Sequence, residues 1–115
     1  MNDRLFQLHA EVCKTLANPW RLKLIELLRG GERPLKELVN GMGIPLANVS
    51  QHLNIMKAKG VVEVRREGSR SFYRLANPKI VKAFDLMREV LRDRLAETGE
   101  MARALSRAPP KVRRR

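Results

Sequence analysis

Ala47, Asn48, Ser50, Gln51, Asn54 and Lys57 fall within one short stretch of the chain, and all but the last are uncharged. Asn, Gln and Ser carry short donors and acceptors rather than net charge. Such groups are poor at holding phosphate but well suited to base edges in a major groove, where Asn or Gln pairs with adenine and Ser serves either role. The spacing makes that use available. In a helix, Val49, Leu53 and Met56 recur at i, i+4 and i+7 and form an inward face, which leaves Asn48, Ser50, Gln51 and Asn54 facing outward. Taken alone, the same pattern describes an ordinary amphipathic helix with a solvated outer side. What precedes and follows it decides between the two readings.

A second group of chemically capable residues is Arg65, Arg66, Arg70 and Arg74. After Lys59-Gly60 the apolar period changes from helical to near-alternating. Val62 and Val64 then share one side of a strand, Glu67-Gly68-Ser69-Arg70 makes a turn, and Ser71-Phe72-Tyr73-Arg74-Leu75 returns as a second strand. The hairpin could be no more than a lid on the core. The four arginines cluster around its tip and flanks against only Glu63 and Glu67, and an arginine-bearing hairpin suits the minor groove and the backbone beside it.

The elements that must position these groups are helical. The first segment, from about residue 2 to 16, places Leu5, Leu8, Val12 and Leu16 along one face, with Phe6 and Cys13 beside them. Asn18 caps and Pro19 opens a second helix, which carries Trp20, Leu24, Ile25, Leu27 and Leu28 and stops at Gly30-Gly31. That apolar surface is too wide for a solvated helix and predicts the domain core. A short third helix is opened by Pro34 and carries Leu35, Leu38, Val39 and Met42 before Gly43. Helix, glycine-containing turn and polar-faced helix form a helix-turn-helix arrangement.

Asn77-Pro78 opens the last helix, along which Ile80, Phe84, Met87, Leu91, Leu95 and Met101 recur at three- and four-residue steps. A chain this small cannot bury so long a stripe alone. A second copy is the expected cover, with an interface made by Leu5, Leu8 and Val12 of the first helix and Phe84, Met87 and Leu91 of the last. The fold class expected is mainly α with a β-hairpin wing: a winged helix-turn-helix with terminal helices forming a dimer interface. It spans residues 1–105, followed by a basic tail over 106–115 that reads as disordered.

A length of 115 residues suits one domain with a small core. The formal charge of +12 and pI near 11.1 make a polyanion the natural partner. Arg107, Lys111, Arg113, Arg114 and Arg115 hold only part of that charge, so the excess survives in the folded part. The single cysteine, Cys13, excludes an intrachain disulfide and fits a reducing compartment. No apolar run approaches a membrane span, and Met1-Asn2-Asp3-Arg4 lacks the regions of a signal peptide, so a cytoplasmic location is expected. One cysteine, two histidines far apart in sequence and no glycine-rich phosphate loop leave no constellation for an enzyme.

Leu16-Ala17-Asn18-Pro19-Trp20-Arg21-Leu22-Lys23-Leu24-Ile25-Glu26-Leu27-Leu28, Gly31-Glu32, Val49-Ser50-Gln51-His52-Leu53, Gly60-Val61-Val62-Glu63-Val64-Arg65-Arg66-Glu67-Gly68 and Tyr73-Arg74-Leu75 together resemble the ArsR/SmtB family of winged-helix repressors. The match covers about residues 5 to 95. The resemblance implies a homodimer on double-stranded operator DNA of dyad symmetry, with recognition helices in successive major grooves and repression relieved or altered by a chemical signal. The family's base-reading residues correspond to Ala47, Ser50 and Gln51. Ala47 departs from the usual Ser, and Pro45 replaces the usual capping Ser, so the preferred sequence should differ.

The family's familiar signals are metal ions, and the residues here argue against them. The usual thiolate pair falls on Pro34 and Lys36, and the Asp, His, His and Glu positions of the last helix fall on Asn77, Lys79, Val90 and Asp93. No metal and no cofactor is therefore expected, and His52 is read as a structural or phosphate contact. The stretch from Pro45 to Leu53 is similar to family members whose DNA-binding part precedes a rhodanese-like domain, which these 115 residues do not hold. A link to redox chemistry then rests on Cys13, which is more simply a small buried hydrophobe. A sequence-specific regulator and an architectural, weakly specific DNA binder both remain compatible with the charge, and the polar, uncharged outer face of Asn48, Ser50, Gln51 and Asn54 favours the former.

Overall fold

The computed structural model describes residues 2–99 and Arg103; Met101 of the expected stripe and the tail over 106–115 lie outside the described residues. The first helix, α1 (Asp3–Leu16), is capped by Asn2, whose Oδ1 accepts from the Leu5 N–H at 2.8 Å. Asn18 caps α2 (Pro19–Leu27) in the same way, accepting from the N–H groups of Trp20 at 2.9 Å and Arg21 at 3.2 Å. Pro19 occupies the first helical position, where its missing N–H is no loss. The helix ends sooner than Gly30-Gly31. Leu28 caps it, and a turn closed by Gly31 N–H on the Leu28 carbonyl carries the chain onward.

Next comes a two-residue strand, β1 (Arg33–Pro34), which the sequence did not announce. It pairs with β3 (Arg70–Leu75), which pairs in turn with β2 (Val62–Glu67), giving an antiparallel sheet of order β1-β3-β2. Pro34 ends this strand and, as expected, also opens the helix that begins at Leu35, standing at its N-cap without a side-chain hydrogen bond. It lies at the sheet's edge, where an absent N–H is tolerated. Too short for any alternation to show, β1 has no sequence signature of its own. The β2–β3 register runs from Val62↔Leu75 to Glu67↔Arg70 and leaves Gly68-Ser69 as a two-residue turn, with Gly68 at φ 62°.

Helices α3 (Leu35–Met42) and α4 (Leu46–Ala58) make the expected helix-turn-helix. Gly43 takes the left-handed conformation that favours glycine, φ 70°, and donates its N–H to the Val39 carbonyl. The inner face of α4, Val49, Leu53 and Met56, is fully buried in one cluster with Leu24, Ile25, Leu28, Leu38 and Met42, and Val62 and Tyr73 bring the hairpin base into it. Each such side chain contributes roughly 1.5–3 kcal/mol at most.

The last helix, α5 (Lys79–Thr98), starts where Asn77 Oδ1 accepts from the Lys79 N–H at 2.9 Å, and Gly99 ends it in a left-handed cap. Ile80 and Phe84 pack against the core. Beside them Arg29 donates to Asp85 through two bonds, 2.7 and 2.9 Å, and to Glu26 through two more, 2.9 and 3.1 Å. Arg88 lies over the Phe84 ring at 4.4 Å and reaches Glu26 at 3.4 Å. The hydrogen bonds from Arg29 hold the Glu26 and Asp85 carboxyls below their usual range, and those carboxylates raise Arg29. The network is solvent-facing, so it orients α5 more than it stabilises the fold.

Arg21 joins three helices: Nη1 donates to the Thr15 carbonyl at 3.0 Å and Nε to His52 Nδ1 at 3.3 Å. Thr15 is itself buried, with its hydroxyl on the Glu11 carbonyl. His52 is thus a structural residue, with Nδ1 as acceptor. Burial, and then the charge of Arg21, push its pKa below 6.5. A lowered folded value means that the unfolded chain takes the proton first, so the contribution is complete above about pH 6.5 and is lost as pH falls through the folded pKa. Thermal melts at pH 7.5 and 5.5 should show a smaller acid-induced drop in Tm for His52→Gln than for the native chain. The paired carboxylates titrate lower still and fall outside this window.

Candidate nucleic-acid interface

With its inner face buried, α4 turns Ala47, Gln51 and Asn54 fully outward, and Lys57 extends the same side toward the helix end. Asn48 and Ser50 are only half-exposed, which corrects the expectation that every polar residue of the stretch faces solvent. At about 100° per residue, both flank Val49 and sit at the border of the buried face.

The hairpin separates the arginines that the sequence grouped together. Its register puts Glu63, Arg65, Glu67, Arg70, Phe72 and Arg74 on one face and Arg66 with Ser71 on the other. Arg65 donates to Glu32 at 2.8 and 3.1 Å, reaches Glu67 at 3.4 Å and stacks on Phe72 at 4.4 Å. Arg74 donates to Glu63 at 2.6 and 2.9 Å. Arg65 hydrogen bonding lowers the Glu32 carboxyl. Glu32, thirty-three residues away in the chain, had no sequence signal linking it to the wing. Arg70 also lies over the Phe72 ring, at 4.9 Å, and Arg66 donates to the Ser71 hydroxyl at 3.0 Å. Neither has a carboxylate partner among the described residues. Within the wing, the positive charge without a carboxylate partner is therefore at the hairpin tip.

A groove of about 410 Å³ runs between α3, the start of α4 and the wing turn. Lys36, Asn40, Leu46, Ser69, Arg70 and Ser71 border it, and among the described residues no carboxylate does. A second groove, beside β2, mixes Lys57, Arg65 and Arg74 with Glu32 and Glu63. The first is the more positive surface, and it adjoins the outward face of α4.

The positions corresponding to the family's metal ligands do not fit a cation. Pro34 is held in β1, Lys36 carries a like charge, and the Asn77 side-chain oxygen already caps Lys79. Among the described residues no group of three or more His, Cys, Asp or Glu side chains is placed to hold a metal. Cys13 is exposed in the single chain, correcting its reading as a buried hydrophobe.

Helix-turn-helix plus a two-stranded wing defines a winged helix-turn-helix protein. A family model described as a helix-turn-helix domain matches residues 16–65. The chain is 37% identical over 91 residues to the uncharacterized HTH-type transcriptional regulator Rv0081 of Mycobacterium tuberculosis, covering 78% of this chain and 80% of that one. The crystal structure of Rv0081 superposes with a TM-score of 0.76, covering 84% of this chain and 98% of that chain. The winged helix-turn-helix DNA-binding domain of Mb0332 from Mycobacterium bovis, described as homodimeric and as a possible ArsR-family regulator, superposes at 0.74 with 36% identity, covering 84% and 93%. A third relative, the HTH-type transcriptional regulator Rv0324 of Mycobacterium tuberculosis, is 38% identical over 93 residues, which cover 81% of this chain. The chain spans about two fifths of the length of Rv0324, 41%. This chain belongs to the ArsR/SmtB family of winged helix-turn-helix transcriptional regulators.

The sorting of the wing arginines gives a direct contrast in DNA binding. Arg70→Ala should lower the salt dependence of binding by about one unit per lost phosphate contact per subunit, across many sequences alike. Arg74→Ala should leave that slope nearly unchanged, because Glu63 already neutralises its charge. Fluorescence anisotropy across a salt series reads both slopes, and equal losses would overturn the sorting.

Proposed function

We propose that this protein is a homodimeric, sequence-specific repressor that binds double-stranded operator DNA of dyad symmetry through α4 and the wing tip. The observation that carries the reading is the rigid presentation of α4: three side chains of its inner face are completely buried, and its outer side offers uncharged groups that suit base edges better than phosphates. Ser50 and Gln51 are the candidate base readers, with Ala47, Asn48 and Asn54 beside them. Lys57, Arg66 and Arg70 are the candidate phosphate contacts, while Arg65 and Arg74 serve first to fix the wing. Relatives named as transcriptional repressors support the direction of the effect.

Dimerisation is supported by apolar surface that the single chain leaves open. Leu5, Leu8 and Val12 are exposed on α1, as are Met87 at 69% and Leu91 at 52% on α5. Leu86 and Val90 belong to the same exposed stripe and were missed by the strict three- and four-residue count. Phe84 is partly spent within its own chain, under Arg29 and Arg88 and against the core. A second copy of the chain, with its stripes apposed, covers this surface and sets two α4 helices about one DNA turn apart.

Selecting binding sites from random DNA tests the reading. An inverted repeat should emerge, and Gln51→Ala should cost about 1–3 kcal/mol on it and relax one position in each half-site. An equal loss on random DNA would show that Gln51 reads no base, and selection without an inverted repeat would point to an architectural binder. Leu91→Asp places a charge in the proposed interface without touching the helix-turn-helix. Light scattering should find it monomeric or unfolded, with high-affinity operator binding gone; a dimer of native affinity would remove Leu91 from the interface.

A further inference from the structure

The first turn of α4 has no polar side chain at its leading positions: Pro45, Leu46 and Ala47 stand there, and no side chain caps the helix. Leu46 is 53% exposed, although Val49 and Leu53, further along the same helix, are completely buried. It therefore lies outside the core cluster. It borders the carboxylate-free groove that Lys36 of α3 and Arg70 of the wing turn also border. Helical spacing sets Leu46 one turn ahead of Ser50, and Ala47 one turn ahead of Gln51, so the two apolar side chains lead the two polar readers along the same strips.

A single exposed leucine on a protein surface ordinarily requires no explanation. This one stands at the leading end of the helix argued to enter a major groove, flanked by two cations. Within a major groove the base edges offer donors and acceptors, and the apolar feature they present is the 5-methyl group of thymine. Aliphatic contact there gains from excluding water, and only at a position where that methyl exists.

We propose that Leu46 reads the 5-methyl group of a thymine in each half-site, with Ala47 leaving room for the approach. This rests on the proposed function, since it requires α4 to lie in the major groove. It adds a specificity residue of a different chemistry from Ser50 and Gln51: the position is chosen by a methyl group rather than by a hydrogen bond.

The test replaces thymine by deoxyuridine, which removes the methyl and leaves the base pair intact, at each thymine of the DNA site selected by the native protein. At one symmetric pair of positions the replacement should weaken binding by about fourfold per half-site, the worth of one buried methyl or methylene group. Leu46→Ala should bind the thymine site more weakly and should no longer distinguish the two bases, while Leu46→Met keeps the distinction. Leu46→Gln serves in place of the alanine variant if that one does not fold. Deoxyuridine tolerated at every position overturns the proposal, and so does a thymine preference that survives undiminished in Leu46→Ala. A native protein that selects no site at all overturns the reading on which this one rests, and this one with it.

Discussion

Everything this molecule presents to a partner depends on the burial of one face of α4. Val49, Leu53 and Met56 have no exposed surface, and they share a cluster with residues of α2, α3 and the base of the wing. Close-packed interiors allow a helix little rotation, because turning it by even one side chain would open voids on one side and clashes on the other. The outer face is consequently fixed in direction. Gly43 supplies the left-handed turn that ends α3 and leads the chain into α4, and the Arg21–His52 contact adds a polar brace from α2 at the margin of the same face.

Charge is distributed on a different principle. The wing holds four arginines, but Glu63 and Glu32 engage two of them, so the hairpin's base is knitted together while its tip keeps uncompensated positive charge. The pairing has a structural use. Glu32 lies just before β1, so its fork with Arg65 ties the loop after α2 to the wing and reinforces the short β1–β3 bridge. Solvent-facing pairs of this kind contribute little stability each. Their effect is on where the net charge points.

The terminal helices pose the opposite problem, too much apolar surface and too little to cover it. Arg29, forked between Glu26 and Asp85, holds the first half of α5 against α2, and the exposed stripe through Leu86, Met87, Val90 and Leu91 begins where that attachment ends. The position of the stripe relative to α4 is therefore set by a salt-bridged junction more than by a continuous core. A dimer built on such stripes inherits its spacing from that junction.

Local signals in the sequence were sufficient for the elements that have them. Asn18-Pro19, Gly43, Gly68-Ser69 and Asn77-Pro78 each specify a cap or a turn through short-range backbone chemistry, and the period of Val49, Leu53 and Met56 identifies the inner face of α4 without any knowledge of what it packs on. The same local logic placed Gln51 and Asn54 outward. It could not place what depends on residues distant in the chain. The strand β1 exists only because β3 offers it an edge, and the neutralising of Arg65 by Glu32 and the anchoring of Arg29 by Asp85 join positions thirty-three and fifty-six residues apart. Cys13 was misjudged in exposure for the same reason: burial is decided by which neighbours arrive, and a helical period records only which side they arrive on. Composition announced a polyanion-binding chain; tertiary structure alone decided which of its cations remain uncompensated to bind one.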